Sequence, residues 1–338
     1  MHVASAYGLW PALRGVDATP DAPLTARLPA LKGSRAGVTW SGSRDLHEPI
    51  SVVNSYADTI GFRTPDEPGS LRRPQLGALH SALGYWTSGL ADPGVIIMPT
   101  GTGKTETMVA LLVAARLGRL LVIVPTTALR NQIARKFETL GVLQQIGVIH
   151  SSALRPVVGR LEHGLPNAAE SERFVAACNV VVATPPAVEA CAPEALADFY
   201  SRFTHLMVDE AHHAPAASWA RIINEFRPRP VLLFTATPYR EDGRSLPGRQ
   251  IYRFPLREAQ ADGYFTRIDY QAVLSLEGVD SALADLAIQR LRADLATGHD
   301  HILMARAQYS ARDGTRQAIP GQGARVRAAR CARRPTEE

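Results

Sequence analysis

The segment Met98-Pro-Thr-Gly-Thr-Gly-Lys-Thr105 brings two glycines, an amine and several hydroxyls together within one short stretch. It follows the apolar run Gly94–Met98 and precedes a helical pattern from Glu106 to Arg116, so it reads as a turn between a strand and a helix. Glycines let the backbone curl until successive N–H groups face one anion, and the start of the next helix adds partial positive charge. In this setting Thr100, Gly101, Thr102, Gly103, Lys104 and Thr105 form a cradle for the phosphates of a nucleotide. The Lys104 ammonium would reach the β- and γ-phosphates, and the Thr105 hydroxyl would ligate Mg²⁺. The general phosphate-loop pattern starts with a glycine five residues before Gly103, and this chain has Met98 there. The loop alone specifies a nucleoside triphosphate and nothing finer.

A second reactive group lies about a hundred residues on. Asp209-Glu210-Ala211-His212 follows the apolar run His205–Val208. An acidic side chain at a strand end opposite a phosphate cradle would hold Mg²⁺, and a neighbouring carboxylate would orient or deprotonate the attacking water. That assigns metal binding to Thr105 and Asp209, and water activation to Glu210. An isolated Asp-Glu pair would read as an acidic helix start instead. His212 and His213 diverge as neighbours and have no Cys or Glu at helical spacing, which argues against zinc. His212 is therefore expected to couple the site to its surroundings, and His213 has no assigned role.

These groups need a scaffold that gathers them. Aliphatic runs recur at Val95–Met98, Leu120–Val124, Val148–Ile149, Val180–Ala183, Leu206–Val208 and Val231–Phe234. Helical patterns such as Ala128–Leu140 and Ala216–Phe226 separate most of them. Continuous apolar strands alternating with helices predict a parallel sheet covered on both faces. Nearly every run ends in a polar segment, and open parallel sheets bind ligands outside the carboxyl ends of their strands. The expected fold is therefore α/β, with the polar segments lined along one rim.

The chain has 338 residues, enough for about two domains, and 46% hydrophobic content, ordinary for a globular core. No apolar run approaches the roughly 18 residues a membrane span needs, and the start lacks the pattern of a secretory signal. Three scattered cysteines, Cys178, Cys191 and Cys331, fit a reducing cytoplasm. The net charge of +5 comes from residues 305–338, where eight Arg oppose three acidic residues; the remainder has 29 basic and 29 acidic residues and is neutral. The basic balance therefore belongs to the tail and does not indicate a basic groove on the body.

Residues 1–65 are interrupted by prolines and resist assignment, apart from one short element between Ile50 and Ile60. Residues 66–245 carry the phosphate loop and the sheet pattern. From 246 to 305 a linker and a second α/β unit are expected, with a helix at Leu256–Ala261, a strand-like Phe265–Val273, a helix at Ser281–Ala296 and an apolar run Ile302–Met304. Residues 306–338 lack apolar periodicity and read as a disordered, Arg-rich tail.

The order Arg72-x-x-Gln75, PTGTGKT, PTTALRNQ, ATPP, DEAHH and TATPYR resembles the motor domain of superfamily 2 helicases and translocases. Within that superfamily it is most similar to DEAD/DEAH-type helicases related to type III restriction enzyme Res subunits, as TATPYREDG and REAQADGYF underline. The resemblance covers about Leu71 to Met304. It implies a RecA-like P-loop NTPase domain followed by a second RecA-like lobe, here incomplete. It also implies ATP and Mg²⁺ as cofactors, and nucleic acid, with DNA the expected strand, as partner. A methyltransferase or other restriction or defence subunit is a further implied partner.

By the same resemblance Arg72 and Gln75 recognise adenine, Lys104, Asp209 and Glu210 carry catalysis, and Thr235 and Thr237 join His212 in coupling hydrolysis to strand movement. Thr126, Arg130, Thr184 and Pro185 would line the path of one nucleic-acid strand, although for Arg130 an ordinary helix-surface role is as good a reading. The second lobe's glycine-containing loop and late arginine motif are not found; MARAQ at Met304–Gln308 resembles that lobe's first strand and the similarity stops there. The leading expectation is an ATP-dependent nucleic-acid helicase or translocase, here truncated or frameshifted. One alternative is a hydrolysis-impaired ATP- and nucleic-acid-binding module, since an absent arginine finger costs around 10³–10⁵ in turnover; another is the motor subunit of a restriction-modification system.

Overall fold

The computed structural model describes residues 24–27, 37–40, 47–65, 67–213, 216–237, 246–265 and 279–297. Its elements in chain order begin with the strands β1 (Leu24–Arg27) and β2 (Gly37–Trp40), then the helices α1 (Pro49–Ser55) and α2 (Arg73–Thr87). There follow β3 (Gly94–Ile97), α3 (Lys104–Ala114), β4 (Leu120–Ile123), α4 (Thr127–Glu138), β5 (Val158–Leu161), α5 (Ala168–Ala176) and β6 (Val180–Ala183). The rest are α6 (Pro185–Glu189), α7 (Pro193–Ser201), β7 (His205–Val208), a 3₁₀ turn at Ala211–His213, α8 (Ala216–Phe226), β8 (Val231–Thr235), β9 (Arg249–Arg253), α9 (Leu256–Ala261) and α10 (Val279–Ala296).

The strands form one sheet in the order β1-β2-β5-β6-β4-β7-β8-β3-β9. The seven strands from β5 to β9 run parallel, while β1 and β2 add an antiparallel edge against β5. This is the parallel α/β architecture that the sequence predicts. Alternate side chains of each central strand enter opposite cores, as a period of two requires. Val95, Ile97, Leu121, Ile123, Val181, Ala183, Leu206, Val208 and Leu233 pack on one face with Phe174, Phe199, Phe226 and Trp219. Ile96, Leu120, Val122, Val180, Val182, Met207, Leu232 and Phe234 pack on the other with residues of α2, α3 and α4, such as Leu79, Leu111 and Phe137.

The register decides where the polar segments end up. Ile97 pairs with Thr235, and Ile123 pairs with both Ala183 and Val208. Val208 in turn pairs with Leu233, so the carboxyl ends of β4, β6 and β7 are level, those of β3 and β8 reach two residues further, and the loops after all five leave from the same edge, as the sequence pattern predicts.

One strand reading is corrected, and strands that the sequence left unassigned appear. Val148–Ile149 is not a sheet strand; Ile149 makes only an isolated bridge to Ile60. The strand in that part of the chain is β5, whose Val-Gly-Arg-Leu does not look like an apolar run. Gly159 is there because the chain has no room for a side chain: a methyl group on it would lie 2.8 Å from Cys178 Sγ and from the Phe174 ring. Arg160 is accommodated by pairing with Glu138 of α4, which is fully buried. The N-terminal region, unassigned from sequence, contributes β1 and β2 to the sheet, and its short element is α1 followed by the extended stretch at Ile60.

The segment near Ile251 is β9, which pairs with β3 inside the first sheet, so this unit runs beyond residue 245 to Thr266. The second unit spans Arg267–Glu338, where α10 covers the expected helix. Helix α9 has the bounds read from sequence. Most of Phe265–Val273, all of Ile302–Met304 and the tail lie outside the described residues. Among the described residues no helix is long and apolar enough to cross a membrane.

Two glycines test the packing in opposite directions. Gly159→Val should destabilise the protein by about 1–3 kcal/mol through overpacking against Phe174. Gly84→Ala should stabilise it by about 0.5–1 kcal/mol, because the position is helical and open, with nothing within 4 Å of an added methyl. Urea unfolding of both variants beside the parent chain measures each difference.

Candidate functional site

Strand β3 delivers the chain into the loop with Met98 fully buried, its N–H donating to the Thr235 carbonyl at 2.9 Å. The side chain at this departure from the general pattern is thus a core residue, and the loop proper starts after it. Gly101 and Gly103 have φ of 88° and 93°, a left-handed conformation costly to any residue with a Cβ. Thr102 is buried, and its hydroxyl donates to the Pro99 carbonyl at 2.6 Å, so it braces the loop from behind. Thr107 Oγ1 donates to the Gly103 carbonyl at 3.0 Å and fastens the loop to the first turn of α3.

Lys104 starts α3 and is only 7% exposed. Its ammonium lies 3.2 Å from Glu210 Oε1. Asp209 follows β7, is 4% exposed, and accepts a hydrogen bond at Oδ1 from the Glu210 N–H at 3.0 Å. Burial, and then the Glu210 charge, push the Asp209 carboxyl up to about 6, against the opposing pull of Lys104 and of that hydrogen bond. Glu210 has a φ of 49°, a left-handed conformation that costs a non-glycine residue about 1–2 kcal/mol. The strain turns its carboxylate back over the loop to Lys104.

The other Glu210 oxygen, Oε2, is buried, accepts no hydrogen bond, and lies 3.4 Å from His212 Nδ1. Thr235 has one hydroxyl hydrogen, which goes to the Thr237 carbonyl at 2.7 Å. Its oxygen therefore accepts from His212 Nδ1 at 3.0 Å, which puts the imidazole proton on Nδ1. It also accepts from the Thr237 N–H at 3.2 Å. Glu210, His212, Thr235 and Thr237 are thus one chain of contacts from the loop after β7 to the loop after β8.

Gln75 and Arg72 approach from α2. Gln75 is 5% exposed; its Oε1 accepts from the Arg72 N–H at 2.9 Å and its Nε2 donates to the Gly103 carbonyl at 3.4 Å. The amide both caps α2 and braces the loop. The Arg72 guanidinium reaches the Gly101 carbonyl at 3.5 Å and stands 5.7 Å from the centre of the Tyr264 ring.

A cavity of about 570 Å³ opens between these elements. Arg72, Gln75, Thr100, Gly101, Gly103, Lys104, Thr105, Asp209 and Glu210 all line it. Its far wall, which sequence reading did not anticipate, consists of Leu129, Ile133 and Lys136 of α4 with Val142 and Ile146. Lys136 is ion-paired with Glu106 of α3. Glu106 directly follows the loop in sequence, but no spacing links Lys136 to it; only the packing of α4 on α3 brings Lys136 there.

The residues expected along a nucleic-acid strand do not form an exposed row. Thr126 is exposed and caps α4, accepting from the Leu129 N–H at 3.2 Å. Thr184 and Pro185 are buried at the start of α6. Arg130 is 5% exposed, with one guanidinium nitrogen donating to the Leu161 carbonyl at 3.1 Å and the other 3.4 Å from Glu162. It ties α4 to the end of β5, because α4 packs on the sheet with the face that carries it.

The donor set suits a hard divalent ion that takes further oxygens from its ligand and from water. A buried carboxylate, a second carboxylate and the residue Thr105 share one cavity, and the Glu210 oxygen without a hydrogen bond adds acceptor capacity. Among the described residues no group of three or more His, Cys, Asp or Glu could hold a metal by itself.

The family model for the type III restriction enzyme, res subunit, matches residues 69–240, and the chain belongs to that family. This places it among helicase- and translocase-type proteins with an ATP-binding P-loop fold. No curated protein sequence matches the chain. Among solved structures, UvsW of bacteriophage T4 is 18% identical over 55% of this chain and 34% of its own, with a TM-score of 0.34. A nuclease-deletion mutant of the Type ISP restriction-modification enzyme LlaGI, in complex with a DNA substrate mimic, is 16% identical over 68% of this chain and 22% of its own, with a TM-score of 0.40. The Hef helicase domain of Pyrococcus furiosus is 23% identical over 47% of this chain and 33% of its own, with a TM-score of 0.32. The likeness is one of fold alone, and the chain spans about a third of the T4 protein's length.

The raised Asp209 carboxyl has a consequence for stability. Folding favours its protonated form, so its contribution is full below the ordinary value of 3.8 and is lost as the pH rises through about 6. Asp209→Asn should therefore be more stable than the parent protein above pH 6, by up to about 3 kcal/mol, with the gap narrowing toward pH 4. Urea unfolding across that range measures it; equal stabilities at pH 8 would contradict the assignment.

Proposed function

We propose that the chain is the ATP-handling part of a nucleic-acid helicase or translocase that hydrolyses Mg–ATP, with DNA the expected strand. The observation that carries this reading is the Lys104 ammonium 3.2 Å from Glu210, beside buried Asp209, in the cavity lined by the Gly101–Thr105 loop. Backbone N–H groups and Lys104 would bind the triphosphate. Thr105 and Asp209 would hold a magnesium ion, which supplies neutralisation of phosphate charge. With ATP bound, Lys104 would pair with phosphate oxygen in place of Glu210, which would leave Glu210 to orient water and accept its proton. Gln75 and Arg72, which line the same cavity, would contact the nucleoside. The contacts from Glu210 through His212 and Thr235 to Thr237 would report the state of the phosphates to the loop after β8. The family's restriction-enzyme character adds a methyltransferase subunit as the partner to seek by co-purification.

Lys104→Ala should abolish Mg–ATP binding in a calorimetric titration. Glu210→Gln should retain binding while turnover falls by at least about a hundredfold, the scale of general-base catalysis. ATPase rates with and without single-stranded DNA or RNA distinguish a motor from a binding module. Stimulation by one strand identifies the motor and its track. ATP binding with no turnover on either strand supports a nucleotide- and nucleic-acid-binding module instead. A Glu210→Gln variant as active as its parent would remove Glu210 from the reaction.

A further inference from the structure

The stretch from β9 to Phe265 straps itself across α2 and ends on the phosphate loop. Tyr252 of β9 lies over Gly77 of α2 so closely that a methyl group there would be 2.7 Å from the ring. Arg73, at the start of α2, pairs with Glu258 at 3.0 Å and Asp262 at 3.1 Å, and its guanidinium stands 5.8 Å from the Phe254 ring. Tyr264 packs edge-on against Phe254, with ring centres 6.1 Å apart, and presents its face to Arg72. The turn that brings it there is closed by the Tyr264 N–H donating to Ala259 O at 2.9 Å and passes through Gly263 at a φ of 76°. The next residue, Phe265, stands beside the loop: a methyl on Gly101 would lie 3.4 Å from its ring, an ordinary van der Waals distance.

Gly101 is the exposed crest of the loop, in a left-handed conformation. Arg72 donates to its carbonyl, and the Phe265 ring stands where a side chain on this glycine would just touch it. Both restraints trace back to the strap, since Arg72 is itself seated on Tyr264. A glycine-rich crest has more conformations open to it than any other backbone, and the one that aims its N–H groups at phosphate must be selected by neighbours. We propose that Phe265 is a positioning residue for the phosphate loop. Its ring, set down by the Arg73–Glu258/Asp262 clamp, confines Gly101 to the anion-binding conformation. The inference rests on the reading of this loop as a triphosphate cradle. It assigns the ring to the phosphate end of the ligand and not to the base.

The test is calorimetric titration of the full chain with Mg–ATP and with magnesium tripolyphosphate, which has no base. Phe265→Ala should weaken both by about tenfold at unchanged thermal stability, and Phe265→Leu should restore most of the loss. Arg73→Glu, exposed and outside the cavity, repels Glu258 and Asp262 and should weaken both ligands similarly. Adding Glu258→Lys and Asp262→Lys to it should recover them. Should Phe265→Ala fail to fold, Phe265→Leu and the Arg73 series still decide. Wild-type affinity for tripolyphosphate in Phe265→Ala and Arg73→Glu overturns the proposal, as does a loss confined to ATP, which would move the ring's role to the base. A parent chain that binds neither ligand sinks the triphosphate reading and this inference with it.

Discussion

One buried charge cluster organises the site. Lys104, Asp209 and Glu210 are brought out of water by two strands that are not neighbours in sequence, and none of the three would be tolerable there alone. The amine neutralises one carboxylate directly and lowers the cost of the other. Even so, Asp209 keeps a raised proton affinity, because burial and its neighbour's charge outweigh the help it receives. The cluster is therefore unsatisfied in a particular sense: it has more negative than positive charge, in a cavity bordered by the glycine loop. A divalent cation would relieve that imbalance.

The sheet makes that cluster possible, and its register matters more than its strand count. Parallel strands that end at one edge put each loop within reach of the next, and the fully apolar strands fix the register because a slip would turn core side chains to the wrong face. Glu210 shows what remains to be done locally. Its left-handed backbone is an uncomfortable conformation, kept because the ion pair with Lys104 and the contact with His212 hold the side chain from two directions. Gln75 acts similarly on the loop, with an amide divided between the cap of α2 and the Gly103 carbonyl.

The same packing reassigns residues that look alike in a motif string. Arg130 and Arg72 both belong to segments that resemble ligand-contacting motifs. Arg72 ends at the cavity because it precedes a helix that starts there. Arg130 sits one turn into α4, on the face pressed against the sheet, and is spent on Leu161 and Glu162. A motif gives the residue type and the element; the direction of the side chain follows from which face the element buries.

Much of the site was legible in the residues. The loop, the acid pair and the aliphatic strands declare themselves because each is a local pattern: glycines for a tight turn, carboxylates after an apolar run, alternation of strand and helix. Strands β5 and β9 were not legible, since their apolar character is broken by Gly159 and Arg160 or by exposed edge positions. The cavity's far wall was equally hidden, because Lys136, Val142 and Ile146 meet the loop only through helix packing. By itself the sequence determined which groups are present and which short-range conformations they favour. The tertiary structure decided which of them meet, because contacts between distant segments depend on register and buried faces, which local spacing does not record.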